Sequence, residues 1–326
     1  MKKLIPLVVS AALLLTACGS GNYAATEIPA EPEPAPTSTA PAAGRSCPDG
    51  LDPLASYAPD AATPAPGGPM PADSWMATIK ARKRLIAGVS ADSLNLGSRN
   101  PLTGQIVGFD IDMLKAVATA IFGTDKGHLE LRVISSPQRI PSLNSKNPVD
   151  IVARNMTINC DRWNDIAFSA EYYRSGQKTL VQRDSKATSV DDLSGQTICA
   201  PAGSTSLDNL KKRNPKVKPI TADTDTGCLV LFQQGKAQGI SGDDTVLAGD
   251  AAQDPYARVI TTERFSEEPY GLGISLKHPE FVRFVNVVLQ QMKDSGAWAA
   301  SYTTWLSAAL GKAPVPPKAI YGRVPR

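Results

Sequence analysis

The chain has 326 residues, of which 42% are hydrophobic and 20% charged, and its formal net charge is +3. The positive charges are spread along the chain without a basic run, so nucleic acid is not an expected partner. The two histidines, His128 and His278, lie far apart in the sequence. We therefore expect no histidine-based metal site, no histidine-driven catalysis and no cofactor.

The first residues are arranged like an export signal. Two lysines precede the apolar run LIPLVVSAALLL, which leads into TAC, and this run is too short to span a bilayer. The stretch LTAC resembles a lipobox, in which Cys18 carries the lipid and becomes the first mature residue. The alternative is a plain signal peptide with an accidental cysteine. We predict a signal peptide at residues 1–17 and an extracytoplasmic protein that is lipid-anchored to the cell membrane.

Residues 18–74 are rich in proline, alanine and threonine, as in IPAEPEPAPTSTAPAAG. Such a composition cannot bury enough apolar surface to fold on its own. The sequence therefore predicts a disordered linker here, which tethers the folded part to the membrane.

Four cysteines remain besides Cys18, and an even number in an exported chain indicates two disulfides. Their spacing leaves three pairings open. We predict the pair Cys199–Cys228, which would join a strand to a nearby helix, and the pair Cys47–Cys160, which would hold the end of the linker against the folded part. Reactive or metal-binding cysteines are the alternative, although the sequence contains no CxxC motif.

From residue 75 onward, short apolar strands alternate with helices. The clearest helix is GFDIDMLKAVATAIFG, where Asp110 is the expected N-cap, Asp112 suits the first turn and Gly123 is a stop signal. The other predicted elements are the helix SWMATIKARK, the strands RLIAGVS and LELRVIS, the helix RIPSLNSK, the strands VDIVARN, QKTLVQR and QTICAP, the helices TSLDNLKKRN and CLVLFQQGK, the strand AQGISGD and a helix at 281–292. This alternation predicts an α/β fold with mainly parallel sheets.

Arg162 stands in the stretch NMTINCDRWNDIAFS, after a buried strand and on no recognisable helix face. Taken alone, this arginine is best interpreted as one half of a surface salt bridge with Asp161 or Asp165.

Several stretches together resemble the extracellular solute-binding proteins of family 3, which bind polar amino acids. The helix GFDIDMLKAVATAI resembles the signature helix of that family. Further landmarks follow in the family's order: NMTINCDRWNDIAFSAEYY, SVDDLSGQTICAPAGSTS, GDDTVLAG, EEPYGLGI and DSGAWAASYTTWL. The resemblance extends from about Leu85 to Leu306. It is closest to the glutamate-, aspartate- and glutamine-binding lipoproteins of ABC importers.

The resemblance implies a two-lobed, periplasmic-binding-protein-like fold of type II, with a ligand cleft between lobes that two extended crossings join. We place the crossings near residues 171–176 and 267–270. The first lobe then comprises residues 75–173 and 271–310, the second comprises 174–270, and 311–326 form a C-terminal tail. Ligand binding is expected to favour a closed cleft through a hinge motion.

The resemblance also implies which residues bind the α-carboxylate of an amino acid. Arg162 occupies the clamping position, and its planar guanidinium matches the two carboxylate oxygens. The second lobe would add Gly203, Ser204 and Thr205, where backbone N–H groups at a strand-to-helix turn form an anion site. The alternative for Ser204 is simple helix capping.

The ammonium group of the ligand is implied to lie against Asp243, assisted by Thr157 and by the carbonyl oxygen of Asn155. We prefer Asp243 to Asp244 because neighbours on an extended segment point to opposite sides.

The distal end of the ligand is implied to meet Arg139, which matches an arginine of the glutamate- and aspartate-binding relatives. The alternative is that it caps its own short helix at the surface. Arg154 is a further candidate, although strand-end arginines are more often exposed. Two positions depart from those relatives: Ser90 replaces another arginine and Asp225 replaces a histidine. An inward-pointing Asp225 would disfavour an acidic ligand, so asparagine and glutamine remain candidate ligands together with glutamate and aspartate.

The implied function is that of a monomeric, non-catalytic binding protein that delivers a free polar amino acid to an ABC permease. A module that reports amino-acid levels to a membrane sensor protein would use the same closed state. The ABC permease and the membrane sensor protein are therefore both expected as alternative partners. A dehydratase-type enzyme of the same fold is a third hypothesis, but no acid–base pair among the motif residues is left unexplained.

Overall fold

The structure, a computed structural model, describes residues 44–325. The expected signal peptide, the lipid-modified Cys18 and residues 19–43 of the expected linker lie outside the described residues. The strands in chain order are β1 (Ala55–Tyr57), β2 (Leu85–Val89), β3 (Asp92–Ser93), β4 (Gly97–Arg99), β5 (Ile106–Val107), β6 (Leu129–Val133), β7 (Ile151–Ala153), β8 (Ala167–Phe168), β9 (Tyr173–Gln182), β10 (Thr197–Pro201), β11 (Lys218–Ala222), β12 (Gly239–Asp243), β13 (Ala257–Val259), β14 (Ser266–Tyr270), β15 (Gly273–Ile274) and β16 (Ile320–Arg323).

The helices include every one that the sequence predicts. In chain order they are α1 (Trp75–Arg82), α2 (Phe109–Phe122), α3 (Arg139–Asn144), α4 (Cys160–Trp163), α5 (Thr205–Arg213), α6 (Asp225–Gln233), α7 (Asp244–Gln253), α8 (Pro279–Asp294), α9 (Ala297–Trp305) and α10 (Ser307–Leu310). Helix α4, a single turn, was not predicted. Within residues 44–325, none of these helices has the length and apolar character that a membrane span requires.

One five-stranded sheet, with the order β6-β2-β7-β15-β8, forms the core of the larger lobe. Strand β2 is parallel to β6 and β7, whereas β15 is antiparallel to β7 and β8. Helices α2 and α8 pack together and bury their apolar faces in this lobe. Because β2 and β7 are parallel, the polar residues that follow them lie at the same edge of the sheet.

A second sheet, with the order β11-β10-β12-β9-β13, forms the smaller lobe. Strand β14 pairs antiparallel with the first half of β9, from Tyr270 opposite Tyr173 to Ser266 opposite Gln177. These two strands carry the chain between the lobes. The exact lobe boundaries, 75–173 with 271–310 and 174–270, stay a prediction.

Helix α2 begins differently from the prediction. Its N-cap is Gly108, whose φ is +144°, and a Cβ at this position would lie 2.3 Å from the carbonyl oxygen of Leu96. Asp110 is therefore not the N-cap; it lies in the first turn with its carboxylate buried. Asp112 in the first turn and Gly123 at the C-terminal end are as predicted.

Residues 44–57 and 320–323 together form a strap across the larger lobe. Strand β1 pairs in parallel with β16, and the Arg323 side chain is buried, where it donates hydrogen bonds to the carbonyl oxygens of Asp52 and Ala55. The predicted disordered linker is thus wrong from residue 44 onward, because packing against the lobe overrides the local composition. The expected tail at 311–326 contains β16.

Both predicted disulfides are present. Cys199–Cys228 joins β10 to α6, and Cys47–Cys160 joins the strap to α4 across a sequence separation of 113 residues.

Candidate ligand-binding site

Two adjacent spaces separate the lobes. The inner cavity is lined by polar residues of both lobes, including Ser136, Arg139, Asn155, Ser204, Thr205, Asp225, Asp243 and Asp250. The outer groove is lined by a second set that includes Arg45, Thr157, Asp161, Arg162, Gly203 and Glu268. The carbonyl oxygen of Gly203 lies at the boundary, since it accepts hydrogen bonds from Arg139 (3.2 Å) and from Arg162 (3.5 Å).

The Arg162 guanidinium is buried and donates a 2.6 Å hydrogen bond to the carbonyl oxygen of Thr157, in the segment that follows β7. No carboxylate in residues 44–325 lies within ion-pair distance of it, because Asp161 and Asp165 pair with Arg45 instead. The surface salt bridge considered from the sequence is therefore wrong. Burial lowers the pKa of Arg162, so its cationic form is held in an unfavourable environment.

The Arg139 guanidinium is buried beside the inner cavity and makes four hydrogen bonds, all to backbone carbonyl oxygens. The acceptors belong to Ser136, Arg154, Asn155 and Gly203. Burial, followed by the nearby charges of Arg162 and Arg154, lowers the pKa of Arg139 well below its usual range. Like Arg162, it has no carboxylate partner among the described residues. Two neighbouring buried cations without a counter-ion favour an anionic ligand.

Asp243 ends β12 and faces the inner cavity. Its Oδ2 accepts a 2.6 Å hydrogen bond from the Tyr270 hydroxyl, and its Oδ1 accepts a 3.4 Å bond from Ser206. Burial, reinforced by the charge of Glu268, raises the pKa of Asp243 well above its usual range. A cation placed beside this carboxylate would stabilise its charged form.

Asp244 is the first residue of α7 and does not lie on an extended segment, so the alternation that favours Asp243 over Asp244 does not apply. Its carboxylate accepts a hydrogen bond from Ser175 (2.6 Å) and pairs with Arg264 (2.9 Å). These partners give Asp244 a structural role outside the inner cavity.

Glu268 is a buried carboxylate in the crossing strand β14 that the sequence analysis missed. Its Oε2 accepts hydrogen bonds from Thr157 of the larger lobe (2.6 Å) and from Thr205 of the smaller lobe (2.7 Å). Glu268 therefore connects two predicted ligand-binding residues. The motif EEPYGLGI contains this glutamate, and its place on a crossing strand was the signal that could have identified it.

Ser204 does cap α5: its hydroxyl accepts from the backbone N of Leu207 (3.1 Å). Gly203 has a φ of +63° and turns its carbonyl oxygen toward the two arginines. The capping role is therefore present, and an additional role of these backbone N–H groups in anion binding stays a prediction.

Arg154 is completely buried, so the exposed position that strand-end arginines often take does not apply. Its Nη1 lies 3.6 Å from the Asp225 carboxylate and donates to Ser136 (2.6 Å). Asp225 points inward and also accepts a 2.6 Å hydrogen bond from Ser93. Ser90 lies within hydrogen-bond distance of Ser93 (2.9 Å) and does not line the inner cavity.

Two polar atoms that line the inner cavity have no hydrogen-bond partner within the described chain. They are Oδ1 of Asn155 and Oδ2 of Asp250. Asn155 has a φ of +38°, a strained conformation for a residue other than glycine. Burial raises the pKa of Asp250 well above its usual range. Asp250 lies on α7 outside every motif, so no sequence signal points to it.

The predicted binding residues thus surround the boundary between the lobes, with the two unpaired guanidiniums near Gly203 and the acidic groups of Asp243 and Glu268 beyond them. This arrangement can hold a zwitterion, because a ligand carboxylate would meet the arginines and an ammonium group would meet the carboxylates.

The model of the bacterial extracellular solute-binding proteins, family 3, matches residues 85–308. A glutamine-binding protein of Geobacillus stearothermophilus is 40% identical over 60% of this chain and 74% of its own length. The ABC transporter glutamine-binding protein GlnH of Bacillus subtilis is 30% identical over 71% of this chain and 84% of its own length. The glutamate-binding protein GluB of Corynebacterium efficiens is 30% identical over 74% of this chain and 83% of its own length.

The solved structures that resemble this chain include that of the ancestral amino acid-binding protein AncCDT-1, a precursor of cyclohexadienyl dehydratase. It is 30% identical, with a TM-score of 0.64 over 71% of this chain and 99% of its own. The two-lobed α/β fold predicted from the sequence is confirmed.

Proposed function

The chain belongs to the bacterial extracellular solute-binding proteins of family 3, and from that membership we propose that it captures a free polar amino acid and presents it to an ABC importer. The observation that carries the proposal is the pair of buried guanidiniums, Arg139 and Arg162, that have no carboxylate partner within residues 44–325. A ligand carboxylate would take the acceptor position that the Gly203 carbonyl oxygen fills in this structure.

We propose glutamate or aspartate as the preferred ligand, because two unpaired cations suit two carboxylates. Arg162 would bind the α-carboxylate and Arg139 the distal one, while Asp243 would accept the ammonium group. Asp225 does point inward, but its charge is already paired with Arg154, so it does not exclude an acidic ligand. Glutamine and asparagine would offer Arg139 a neutral amide and bind more weakly.

Calorimetry of the purified protein against the twenty amino acids tests the proposal. Arg162→Ala should weaken the binding of glutamate, aspartate and their amides alike, by at least about 100-fold, since it removes the partner of a buried carboxylate. Arg162→Lys should restore little, because it keeps the charge but loses the planar fork. Arg139→Ala should weaken the two acids much more than the two amides.

An equal loss for all four ligands in Arg139→Ala would assign that arginine to the fold and not to side-chain recognition. Failure of every amino acid to bind the wild type would overturn the proposed function. Conversion of a cyclohexadienyl compound by the wild type would favour the dehydratase hypothesis.

The N-terminal sequence supports a membrane anchor at Cys18, which would hold the protein close to its permease. We predict that Cys18→Ala releases the protein from the membrane fraction of cells. An unchanged membrane fraction would contradict the lipid anchor.

A further inference from the structure

The strap grips the helical turn α4 at each of its residues except Arg162. Cys160 forms the disulfide with Cys47, and the Asp161 carboxylate accepts a 2.8 Å hydrogen bond from Arg45. The Trp163 indole donates to the carbonyl oxygen of Pro53 (2.8 Å).

Arg323, from the C-terminal part of the strap, also contacts α4. The Arg323 guanidinium lies 4.0 Å from the centre of the Trp163 ring, where a cation–π contact is favourable. Asn164, which follows α4, donates to the carbonyl oxygen of Ser46 (3.2 Å). The residues around Arg162 thus depend on contacts with segments more than 100 positions away.

A single helical turn has little stability of its own, because nucleation fixes several residues for each hydrogen bond formed. Within α4 the local support consists mainly of the Asn159 side chain, which caps the turn by accepting from the backbone N of Arg162 (2.9 Å). A bidentate contact between Arg162 and a carboxylate requires its backbone to be held to a fraction of an ångström. The strap supplies the contacts that the turn lacks.

We propose that the strap positions Arg162 for ligand binding, with the Cys47–Cys160 disulfide as its covalent part. This inference rests on the proposed function, since it assigns Arg162 to the ligand carboxylate. The strap residues act through α4 and line no part of the inner cavity. Gly44 and Arg45 line the outer groove, where the charge of Arg45 is paired with Asp161 and Asp165.

Two strap variants test the proposal by calorimetry with glutamate. The double variant Cys47→Ser/Cys160→Ser should bind glutamate about tenfold more weakly or worse, because the arginine loses its fixed geometry. Arg45→Glu, an exposed change that the fold should tolerate, would repel both aspartates and should weaken binding several-fold. Arg213→Glu is the matched control: it also breaks exposed pairs with two acids, Asp191 and Glu263, in the smaller lobe. It should leave the affinity unchanged.

If the strap only stabilised the fold, the loss of affinity in the strap variants would be the same whether or not Arg162 is present. In an Arg162→Lys background, by contrast, the strap variants should cost less than about a further twofold in affinity, because coupled residues are not additive. An additional loss as large as in the wild-type background would overturn the proposal, as would wild-type affinity in both strap variants.

Amide hydrogen exchange of residues 157–166 in the ligand-free protein provides a readout that needs no ligand. The strap variants should exchange faster in this segment, while Arg213→Glu should not. Unchanged exchange in the strap variants would refute the positioning role even if no amino acid bound. Absence of binding to the wild type together with faster exchange would refute only the proposed function.

Discussion

The carboxylate of Asp110 supports the loop that follows β7. Its Oδ2 accepts from the backbone N of Asn155 (2.8 Å) and its Oδ1 from the Tyr172 hydroxyl (2.6 Å). Asn155 is held here at a positive φ, and strained residues persist only where their surroundings fix them. Asp110 therefore helps to place a residue of the inner cavity, although it does not line that cavity.

The titration of Asp110 should be visible in the pH dependence of stability. Burial raises its pKa to about 6 from 3.8. The neutral form is thus favoured in the fold, so its contribution to stability is full below pH 3.8 and is lost as the pH rises through 6. Relative to Asp110→Asn, the free energy of unfolding of the wild type should fall by about 2 kcal/mol between pH 4 and pH 7. Urea unfolding at several pH values measures this difference.

Asp60 provides a control of the opposite sign. A hydrogen bond from Thr63 lowers the pKa of this exposed aspartate, so its contribution is lost only as the pH falls below about 4. The difference between the wild type and Asp60→Asn should therefore stay level from pH 4 to pH 7. Parallel curves for the wild type and Asp110→Asn would contradict the buried titration of Asp110.

Long helices and buried strands could be predicted from the sequence because their apolar residues recur at a regular spacing. Helix α8 and strand β12 are examples. Helix α4 could not, since four residues are too few to show a helical period. The strap could not either, because its proline- and alanine-rich composition suggests disorder, while the contacts that order it join residues far apart, as between Arg323 and Ala55.

The same distinction applies to the binding site. Arg162, Arg139 and Asp243 could be identified because they lie in motifs that resemble those of a known family. Asp250 could not, because it lies outside every motif and its burial arises only in the folded chain. Glu268 lies within the motif EEPYGLGI, but its burial arises only where the two lobes meet. Local sequence carries no information on how two lobes come together.

The two lobes are in contact around the cavity, so the structure is that of a closed cleft. Hydrogen bonds cross between the lobes from Arg139 to Gly203 and from Thr157 to Glu268, and the backbone N of Ser136 donates to the carbonyl oxygen of Asp223 (2.9 Å). Closure without a ligand buries two guanidiniums that lack a counter-ion, which costs free energy. A ligand that supplies the carboxylate should therefore shift the population toward this state.

Small-angle X-ray scattering should detect this shift. Saturating glutamate should reduce the radius of gyration of the wild type, because within residues 44–325 only the crossing strands β9 and β14 connect the lobes covalently, and the lobes can separate when no ligand bridges them. Arg162→Ala should show no reduction at the same glutamate concentration. Identical scattering of the wild type with and without bound glutamate would contradict ligand-driven closure.

The Cys47–Cys160 disulfide also determines how the protein would carry mechanical load. A force that pulls residues 44 and 325 apart would pass along the covalent chain from Cys47 through the sulfur–sulfur bond to Cys160, so the backbone loop at 48–159 would lie outside this covalent path. That loop includes β2, β6 and β7, three strands of the sheet in the larger lobe. Its 112 residues would remove roughly 380 Å from the extended length, at about 3.4 Å per residue. Tension along the chain would therefore reach Arg162 before it reached most of the lobe that carries it.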